Sequence, residues 1–375
     1  MNRVAFFGAQ YSTGGEGRVC SAIGKALARR QFDVDFLVDG TYSKDSYLQD
    51  GLPKNCRVVQ LTSTRIADSG SISLSYPKIL YLLIKYLKEE KPAVLISNLT
   101  KFNLLAVWAS VISQVETSLV LVEHSLISPR ITDRSHLLPP LIQAHYPFAD
   151  KIIAVSEDVK KDLLNYHRIR AGSCTTIRNP VDVEKVVLQS IRKLDHDWFS
   201  SGAPVILGAG RFVEEKQFSV LLKAFEQLQR HTEVRLILAG RGPLREDLHE
   251  LTVELGVEKH VDFLGFVPNP YKYMRRAHLL AISSKYEGCP VVALEALACG
   301  TPIVSTNCPG GNSDILNDGE YGELVDVGDP RGLADAMART LDDPPDPDRL
   351  VERARHYDVN EVVDRYAEVI ERAAN

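Results

Sequence analysis

Short apolar runs alternate with helical patterns along most of the chain. Apolar runs bounded by turn residues predict buried strands, and the longer segments between them, in which apolar residues recur every three or four positions, predict helices. In the first half, the predicted strands are Val4–Phe7, Val34–Val38, Ala93–Ser97, Leu119–Glu123 and Ile152–Val155. In the second half, they are Val205–Leu207, Arg235–Ala239, Val261–Leu264, Leu279–Ser283 and Ile303–Ser305. Strands that alternate with helices form parallel sheets, so the pattern predicts an α/β fold.

The alternation stops in a charged stretch between about residues 183 and 202 and then restarts. The 375 residues also exceed the roughly 250–300 that one hydrophobic core supports. We therefore expect two Rossmann-like domains, at residues 1–190 and 191–358. A last helix, within residues 359–375, follows the proline-rich segment 342–347 and is expected to pack back towards the first domain. In such folds, ligands bind at the carboxyl ends of the strands, here in a cleft between two facing domains.

Composition narrows the class of protein further. Apolar residues make up 45% of the chain and charged residues 25%, which is typical of a globular protein and not of a disordered one. No apolar run approaches the roughly 18 residues that a membrane span needs, and the N-terminus lacks the apolar segment of a signal peptide. We expect a cytoplasmic protein. The six cysteines form no CxxC pair or metal-ligand cluster, so neither zinc nor a disulfide framework is expected.

Charge is divided unevenly between the two halves. Residues 1–200 carry a net charge of +5, and residues 201–375 carry −10. A basic first half suits an anionic partner, such as a membrane surface or a diphosphate-bearing acceptor, although surface scatter also explains it. The segment Tyr76–Lys88 is apolar with interspersed lysines. It is interpreted as a helix packed on the sheet or, more specifically, as a lip that touches the cytoplasmic face of a membrane.

The segment from residue 279 to 302 carries the most informative chemistry. A predicted strand enters a short loop with Glu287 and Gly288; Pro290 then suits a first helical turn, and Gly300 suits its end. The free N–H groups of that first turn can hold a diphosphate. Glu287 and Glu295 lie on nearly the same face, where carboxylates can accept hydrogen bonds from sugar hydroxyls. Two solvated glutamates at a helix start are the alternative.

A second loop carries two cations after a predicted strand. Arg211 and Lys216 follow the glycines of the segment 208–210, and both could face one diphosphate, the first as a planar fork and the second as a point charge. Alone, they would be interpreted as solvated loop cations.

Together these segments resemble the retaining glycosyltransferases of family 4, which have the GT-B fold of two Rossmann-like domains. The resemblance rests on the Glu-x7-Glu motif from Glu287 to Glu295 and on the Gly-Arg…Lys loop. Further matching segments extend it over nearly the whole chain: Gly14–Gly15, 154–157, 177–182, 239–244 and 261–267. One departure is Asp314, where the family often has glutamate after Gly-Gly-x-x.

The resemblance implies roles for individual residues. Arg211 and Lys216 would neutralise the donor diphosphate, Glu287 would bind the donor sugar, and Glu295 would bind the nucleotide ribose. The remaining donor-binding residues would act largely through their backbone: Gly14, Gly15, Phe266, Val267, Gly288, Cys289, Pro290, Val291 and Val292. His124 matches the family's histidine near the reacting sugar, and with Glu287 it forms the expected catalytic pair; a strand-end histidine that caps the sheet is the competing interpretation.

The implied reaction is hexosyl transfer, with retention, from a nucleotide-diphosphate sugar (UDP is the expected nucleotide) to a saccharide acceptor that is lipid-linked, in cell-surface polysaccharide assembly. No cofactor, metal or nucleic acid is expected. A dehydrogenase is disfavoured because the glycines at 14, 15 and 17 do not have GxGxxG spacing. A sugar-nucleotide epimerase or phosphorylase, or a non-catalytic nucleotide-sugar-binding subunit, remains an alternative because fold alone does not decide function.

Overall fold

The chain forms two compact units, each built on a parallel sheet. A computed structural model describes residues 3–8, 11, 14–39, 47–48, 51–62, 75–130 and 138–374. The first unit comprises residues 1–180 and 359–375, and the second comprises residues 181–358.

The first unit contains a seven-stranded sheet with the spatial order β3-β2-β1-β4-β5-β6-β7. All its strand pairs are parallel. The strands are β1 (Arg3–Phe7), β2 (Asp33–Asp39), β3 (Cys56–Thr62), β4 (Val94–Asn98), β5 (Ser118–Glu123), β6 (Lys151–Ala154) and β7 (Cys174–Thr176). The connecting helices are α1 (Gly15–Arg29), α2 (Ser75–Glu90), α3 (Thr100–Ser113), α4 (Leu138–His145) and α5 (Glu157–Asn165).

The second unit contains a six-stranded parallel sheet with the order β10-β9-β8-β11-β12-β13. Its strands are β8 (Val205–Ala209), β9 (Arg235–Ala239), β10 (Val261–Gly265), β11 (Leu279–Ile282), β12 (Ile303–Thr306) and β13 (Glu323–Val325). Its helices are α6 (Val183–Ser190), α7 (Phe218–Gln229), α8 (Arg245–Glu254), α9 (Tyr271–Met274), α10 (Val291–Ala298), α11 (Asn312–Leu316), α12 (Pro330–Asp342) and α13 (Pro347–Arg355).

The last helix of the chain, α14 (Val359–Ala374), belongs to the first unit. The Arg30 guanidinium donates to Asp364 at 2.7 Å, and the Ser118 hydroxyl donates to the carbonyl oxygen of Ala373 at 2.5 Å. Arg365 donates to the carbonyl oxygen of Thr176 at 2.7 Å. These bonds join the helix to α1, β5 and β7.

The boundary between the units lies at residue 180, earlier than the predicted boundary at residue 190. The difference arises because the charged stretch after residue 183 begins with a helix, α6, that is bound to the second unit. Asn269 donates to the carbonyl oxygen of Gln189 at 2.9 Å, and Arg276 donates to that of Ser190 at 3.2 Å. The proline-rich segment 342–347 connects two helices, since α12 ends at its first residue and α13 begins at its last.

All ten predicted strands are present, with shifts of one or two residues at their ends. Three strands were not predicted: β3, β7 and β13. Among the described residues, no helix is long and apolar enough to cross a membrane. All six cysteines are free thiols, and five of them are buried.

Candidate functional site

The loop after β11 is fixed to its neighbours by buried hydroxyl groups. The Ser283 hydroxyl donates to the carbonyl oxygen of Lys216 at 2.8 Å, which joins this loop to the one after β8. The Thr306 hydroxyl donates to the carbonyl oxygen of Ser284 at 2.6 Å, which joins it to the end of β12. Three strand ends are thereby held in one arrangement, because buried polar groups need partners and here find each other.

Glu287 lies in this loop and is paired with Lys216. Lys216 Nζ is 2.5 Å from Glu287 Oε1, and the Ser284 hydroxyl donates to the same oxygen at 2.6 Å. The side chain of Glu287 is 9% exposed, and that of Lys216 is 21% exposed. No described residue donates to Oε2 of Glu287. The carboxylate therefore has one oxygen held by the protein and a second with its acceptor capacity left for a ligand.

Two glycines after β12 allow the Glu287 loop to pack closely. The Glu287 N–H donates to the carbonyl oxygen of Pro309 at 2.9 Å. Gly310 has φ +132°, and a Cβ there would lie 2.6 Å from the carbonyl oxygen of Glu287, so only glycine fits.

Burial and the charge of Glu287 raise the pKa of the nearby Cys308 thiol to about 12.

Asp314, where the family often has glutamate, lies in the short helix α11 that follows these glycines. Its carbonyl oxygen accepts hydrogen bonds from Arg353 at 2.6 Å and from the Tyr357 hydroxyl at 3.0 Å. The backbone at this position therefore ties α11 to the end of α13.

Helix α10 begins directly after the loop. Pro290 is its N-cap and is buried with Gly288 and Cys289, whereas Val291 and Val292 form the first turn and are half-buried. No side chain caps this end of the helix. The first-turn N–H groups can therefore bind an anion, with the helix dipole adding to the attraction. The predicted helix is confirmed, with Pro290 one position outside it and Gly300 at φ +71° just past its end.

Glu295 lies within α10, is 3% exposed and contacts the neighbouring helix α9. The Tyr271 hydroxyl donates to Glu295 Oε1 at 3.0 Å. The two glutamates of the motif thus have separate partners. Glu287 is paired with Lys216 in the loop after β8, and Glu295 is bound by Tyr271 in α9.

Arg211 follows β8 and lies at the protein surface. Its guanidinium donates to Glu215 Oε1 at 3.3 Å, and its side chain is 66% exposed. The loop itself is packed tightly, because a Cβ on Gly240 would lie 1.8 Å from the carbonyl oxygen of Gly210. Lys216 contacts Glu287, whereas the one ion pair of Arg211 with the described residues is to an acidic neighbour in its own loop.

Phe266 and Val267 follow β10 and are half-buried. The guanidinium of Arg241 lies 5.4 Å from the centroid of the Phe266 ring. Arg241 follows β9, the strand next to β10, so the segment predicted to border the base is at the same carboxyl edge of the sheet as Lys216 and Glu287.

In the first unit, the predicted glycines lie at the start of α1. Gly14 is the N-cap, with φ +89°, and Gly15 is the first helical residue. A Cβ on Gly14 would lie 2.7 Å from a carboxylate oxygen of Glu16. The positive φ is a conformation that other residues rarely adopt, so glycine is favoured at this N-cap.

His124 follows β5 and is held by Asn98 at the end of the adjacent strand β4. Its Nε2 is 3.0 Å from Asn98 Oδ1, while the Asn98 amide nitrogen donates to the carbonyl oxygen of Phe7 at 3.2 Å. Nδ1 is buried and has no hydrogen-bond partner among the described residues. Burial lowers the pKa of His124 to about 4, so the imidazole is neutral at physiological pH.

The residue before His124 belongs to a buried polar network. The Glu123 carboxylate, 2% exposed, accepts hydrogen bonds from Asn103 at 2.9 Å, from Thr100 at 3.0 Å and from the hydroxyl of Tyr146. This network fixes the end of β5 and hence the backbone from which His124 projects.

The sequence did not reveal three residues that hold the predicted ones: Asn98, Tyr271 and Ser284. Ser284 is a polar residue directly after a buried strand, which is a usable signal. Asn98 and Tyr271 are distant in sequence from the residues they hold, so no local pattern points to them. Among the described residues, no group of three or more His, Cys, Asp or Glu could hold a metal ion.

Two family models match consecutive parts of the chain. "Glycosyltransferase Family 4" matches residues 13–185, and "Glycosyl transferases group 1" matches residues 192–357. A relative from Campylobacter jejuni, N-acetylgalactosamine-N,N'-diacetylbacillosaminyl-diphospho-undecaprenol 4-alpha-N-acetylgalactosaminyltransferase, is 32% identical over 204 residues. That match covers 54% of this chain and 54% of the relative, so the chain spans about half of the relative's length.

Solved structures resemble the chain over nearly its full length. Sucrose-phosphate synthase from Thermosynechococcus elongatus has a TM-score of 0.82 at 21% identity, and the match covers 99% of both chains. HepE from Anabaena, in complex with UDP and glucose, has a TM-score of 0.78 at 20% identity, covering 99% of this chain and 100% of that one. These similarities establish the fold. With the two parallel-sheet units, they show that the chain has the GT-B fold. The two matching family models, which together span most of the chain, show that it belongs to the group 1, family 4 glycosyltransferases.

Proposed function

We propose that this protein is a retaining hexosyltransferase that moves a sugar from a nucleotide-diphosphate sugar to a lipid-linked saccharide in cell-surface polysaccharide assembly. The observation that carries the proposal is the Lys216–Glu287 pair beside the uncapped start of α10. A cation, a set of free N–H groups and a carboxylate with one uncommitted oxygen are the groups that a sugar diphosphate requires.

The donor would bind along the carboxyl edge of the second sheet. Its diphosphate would lie on the first-turn N–H groups of Val291 and Val292, with Lys216 and a reoriented Arg211 balancing its charge. The sugar hydroxyls would donate to Glu287 Oε2. UDP is the proposed nucleotide, and the UDP-bound relative HepE supports testing it first.

The transfer would proceed with retention on one face of the sugar. The bond between the anomeric carbon and the diphosphate oxygen breaks, and the acceptor oxygen bonds to the same carbon from the same side. The acceptor proton passes to the departing diphosphate. The protein's contribution is to position the reactants and to stabilise the charge on the leaving group. His124, neutral and held by Asn98, would contact the donor sugar without changing its own charge. No resident metal ion is part of this proposal.

The proposed acceptor is lipid-linked because the Campylobacter jejuni relative is named for a diphospho-undecaprenol substrate. An anionic membrane would then be the working surface, on the cytoplasmic side. Helix α2 supports this interpretation, since Lys78, Tyr81, Lys85 and Lys88 are all exposed and recur at helical spacing on one face. The adjacent α3 exposes Trp108, at 38%. Basic and aromatic side chains on one face are typical of interfacial helices.

Vesicle binding tests the membrane part. Wild-type protein is expected to sediment with vesicles containing anionic lipid and not with neutral ones. Replacing Lys78 and Lys88 with glutamine should weaken that binding, whereas the same change at Lys223 and Lys259, exposed lysines of the second unit, should not. Equal binding to both kinds of vesicle, or equal effects of the two double substitutions, would contradict the membrane proposal.

A donor screen tests the reaction itself. Purified protein is incubated with UDP-, GDP- and ADP-sugars, and nucleotide release is followed with and without a lipid-linked acceptor extract. Acceptor-dependent release from one donor, abolished by Glu287→Ala, is the expected result. Conversion of the sugar without acceptor would favour an epimerase, and donor binding without turnover under every condition would favour a non-catalytic binding subunit.

A further inference from the structure

Tyr271 is mounted rigidly against α10, the helix that carries Glu295. Its N–H donates to Asn269 Oδ1 at 3.2 Å, and Asn269 in turn donates to the carbonyl oxygen of Gln189 at the end of α6. Its carbonyl oxygen accepts a hydrogen bond from the Cys299 thiol, with 3.7 Å between sulfur and oxygen. Both backbone groups of Tyr271 are therefore engaged, so its hydroxyl has a defined position.

Tyr271 contacts the chain of α10 at two positions one helical turn apart, Glu295 through its hydroxyl and Cys299 through its carbonyl oxygen. Tyr271 donates to Glu295 Oε1, and Cys299 follows Glu295 by four residues, so Tyr271 lies along one face of α10. A third bond continues the contact, since the Thr301 hydroxyl donates to the carbonyl oxygen of Met274 at 2.8 Å. Burial, and after it the charge of Glu295, raises the pKa of the Cys299 thiol. This agrees with a carboxylate held close to that face.

The contact fixes the orientation of a carboxylate that has little contact with water. Glu295 is 3% exposed, and its side chain has three rotatable bonds before the carboxylate. A hydrogen bond to a charged acceptor is among the stronger ones, and a buried carboxylate has few alternative orientations that keep it. Tyr271 therefore holds Glu295 Oε1 towards α9 and restricts the orientation of the carboxylate.

We propose that Tyr271 is a positioning residue that makes the nucleotide site selective for ribose over deoxyribose, by holding the Glu295 carboxylate in the orientation that accepts the ribose hydroxyls. This inference rests on the proposed function, because it requires a ribonucleotide donor. Tyr271 does not itself contact the nucleotide. The selectivity arises because a site built around a sugar hydroxyl leaves its carboxylate unsatisfied when that hydroxyl is missing.

Calorimetric binding of nucleotides tests the inference without requiring turnover. UDP, GDP and ADP are titrated into the wild-type chain, and the one that binds most tightly is compared with its 2′-deoxy and 3′-deoxy counterparts. We expect at least one deoxynucleotide to bind about tenfold more weakly than the ribonucleotide, the loss of one hydrogen bond to a charged acceptor. In Tyr271→Phe we expect weaker ribonucleotide binding and a ribose preference reduced to about twofold or less.

Tyr273→Phe is the matched control, since it removes a phenol hydroxyl from the same short helix. The Tyr273 ring contacts His196 and Phe199, away from α10. We expect the ribose preference of this variant to equal that of the wild type. Glu295→Gln should lose most of the preference, because a neutral amide is a weaker acceptor than a carboxylate. The double variant with Tyr271→Phe should lose no more than Glu295→Gln alone, because Tyr271 acts through this carboxylate.

The outcomes separate the inference from the proposed function. An undiminished ribose preference in Tyr271→Phe would overturn the inference while leaving the donor site in place. Additive losses in the double variant would overturn it as well, by showing that Tyr271 acts independently of Glu295. If the wild type binds none of the three nucleotides, the proposed function is overturned, and this inference with it. If the circular dichroism of Tyr271→Phe shows that this variant is misfolded, the ribose preference of Glu295→Gln is compared with that of the wild type instead. An unchanged preference in Glu295→Gln also overturns the inference.

Discussion

The ion pair between Lys216 and Glu287 should stabilise the second unit by an amount that a double-mutant cycle can measure. Three variants are needed: Lys216→Met, Glu287→Gln and both together. Lys216→Met leaves a carboxylate that is 9% exposed with the Ser284 hydroxyl as its remaining donor. Glu287→Gln leaves an ammonium group that is 21% exposed and can turn towards water. The first change should therefore cost more than the second.

The expected magnitudes follow from burial. Breaking a fully buried pair costs about 3–5 kcal/mol, and the remaining hydroxyl bond and partial exposure reduce this to about 3 kcal/mol for Lys216→Met. Glu287→Gln should cost about 1.5 kcal/mol, the scale of a hydrogen bond to a charged group. The double variant should cost about 2.5 kcal/mol instead of the sum, because no unpaired charge remains. The coupling energy is then about 2 kcal/mol.

The two tryptophans of the chain allow the second unit to be followed by itself. Trp108 lies in the first unit and Trp198 in the second, so fluorescence in a Trp108→Phe background reports on the second unit during urea unfolding. The control cycle uses Arg349 and Glu320, an ion pair of similar length at 2.6 Å whose side chains are 49% and 44% exposed. Water screens an exposed pair, so this one should couple far more weakly than Lys216 and Glu287.

A coupling energy for Lys216 and Glu287 no larger than that of the control pair would refute the reasoning. It would mean that the two groups are solvated in the folded protein, and that the site offers a ligand no fixed charge pair. Equal costs for the two single variants would contradict the narrower argument, which assigns the greater penalty to the unpaired carboxylate.

Three further predictions concern packing, pH and metal ions. Gly240→Ala should lower the melting temperature strongly, by the equivalent of about 3 kcal/mol or more, because its Cβ would overlap the backbone of Gly210; Gly172→Ala, with open space around the new Cβ, should change it little. Burial lowers the pKa of both His124 and His167, so their stabilising contribution is complete above the unfolded-state pKa near 6.5 and is lost as pH falls towards the folded value, about 4 for His124. His167→Phe should therefore lessen the fall in the urea midpoint between pH 7 and pH 5; an unchanged fall would contradict this. Sugar transfer measured by nucleotide release should persist in EDTA, and loss of activity restored by Mg²⁺ would contradict the proposal of a metal-independent reaction.

The buried strands could be predicted from the sequence because a parallel sheet covered on both faces produces continuous apolar runs. Strand β3 escaped prediction because Arg57 and Gln60 interrupt it, and Arg57 is there to pair with the buried Asp35 on the neighbouring strand. Strands β7 and β13 have only three residues each, too few for a periodic signal. A long-range ion pair and short edge strands are invisible to local pattern.

The candidate site could be predicted in part for a similar reason. Glu287 and Glu295 share one loop-and-helix segment, so their spacing is visible in the sequence. The contact between Lys216 and Glu287 depends on β8 and β11 being neighbours in the sheet, which no local pattern states. Tyr271 is further removed, since its role depends on how α9 lies against α10. Spacing reveals residues within one element, whereas partners across elements require the topology.

Helix α14 belongs to the first unit but follows the second unit in the sequence. The first unit therefore begins to be synthesised before the second but is completed after it. A ribosome releases the whole of the second unit before it releases the helix that binds α1 and β5. The second unit can therefore reach its final structure first, while the earlier-made first unit waits for its last element. Premature termination shortly before residue 359 would consequently damage the N-terminal sheet and spare the unit in which the break occurs.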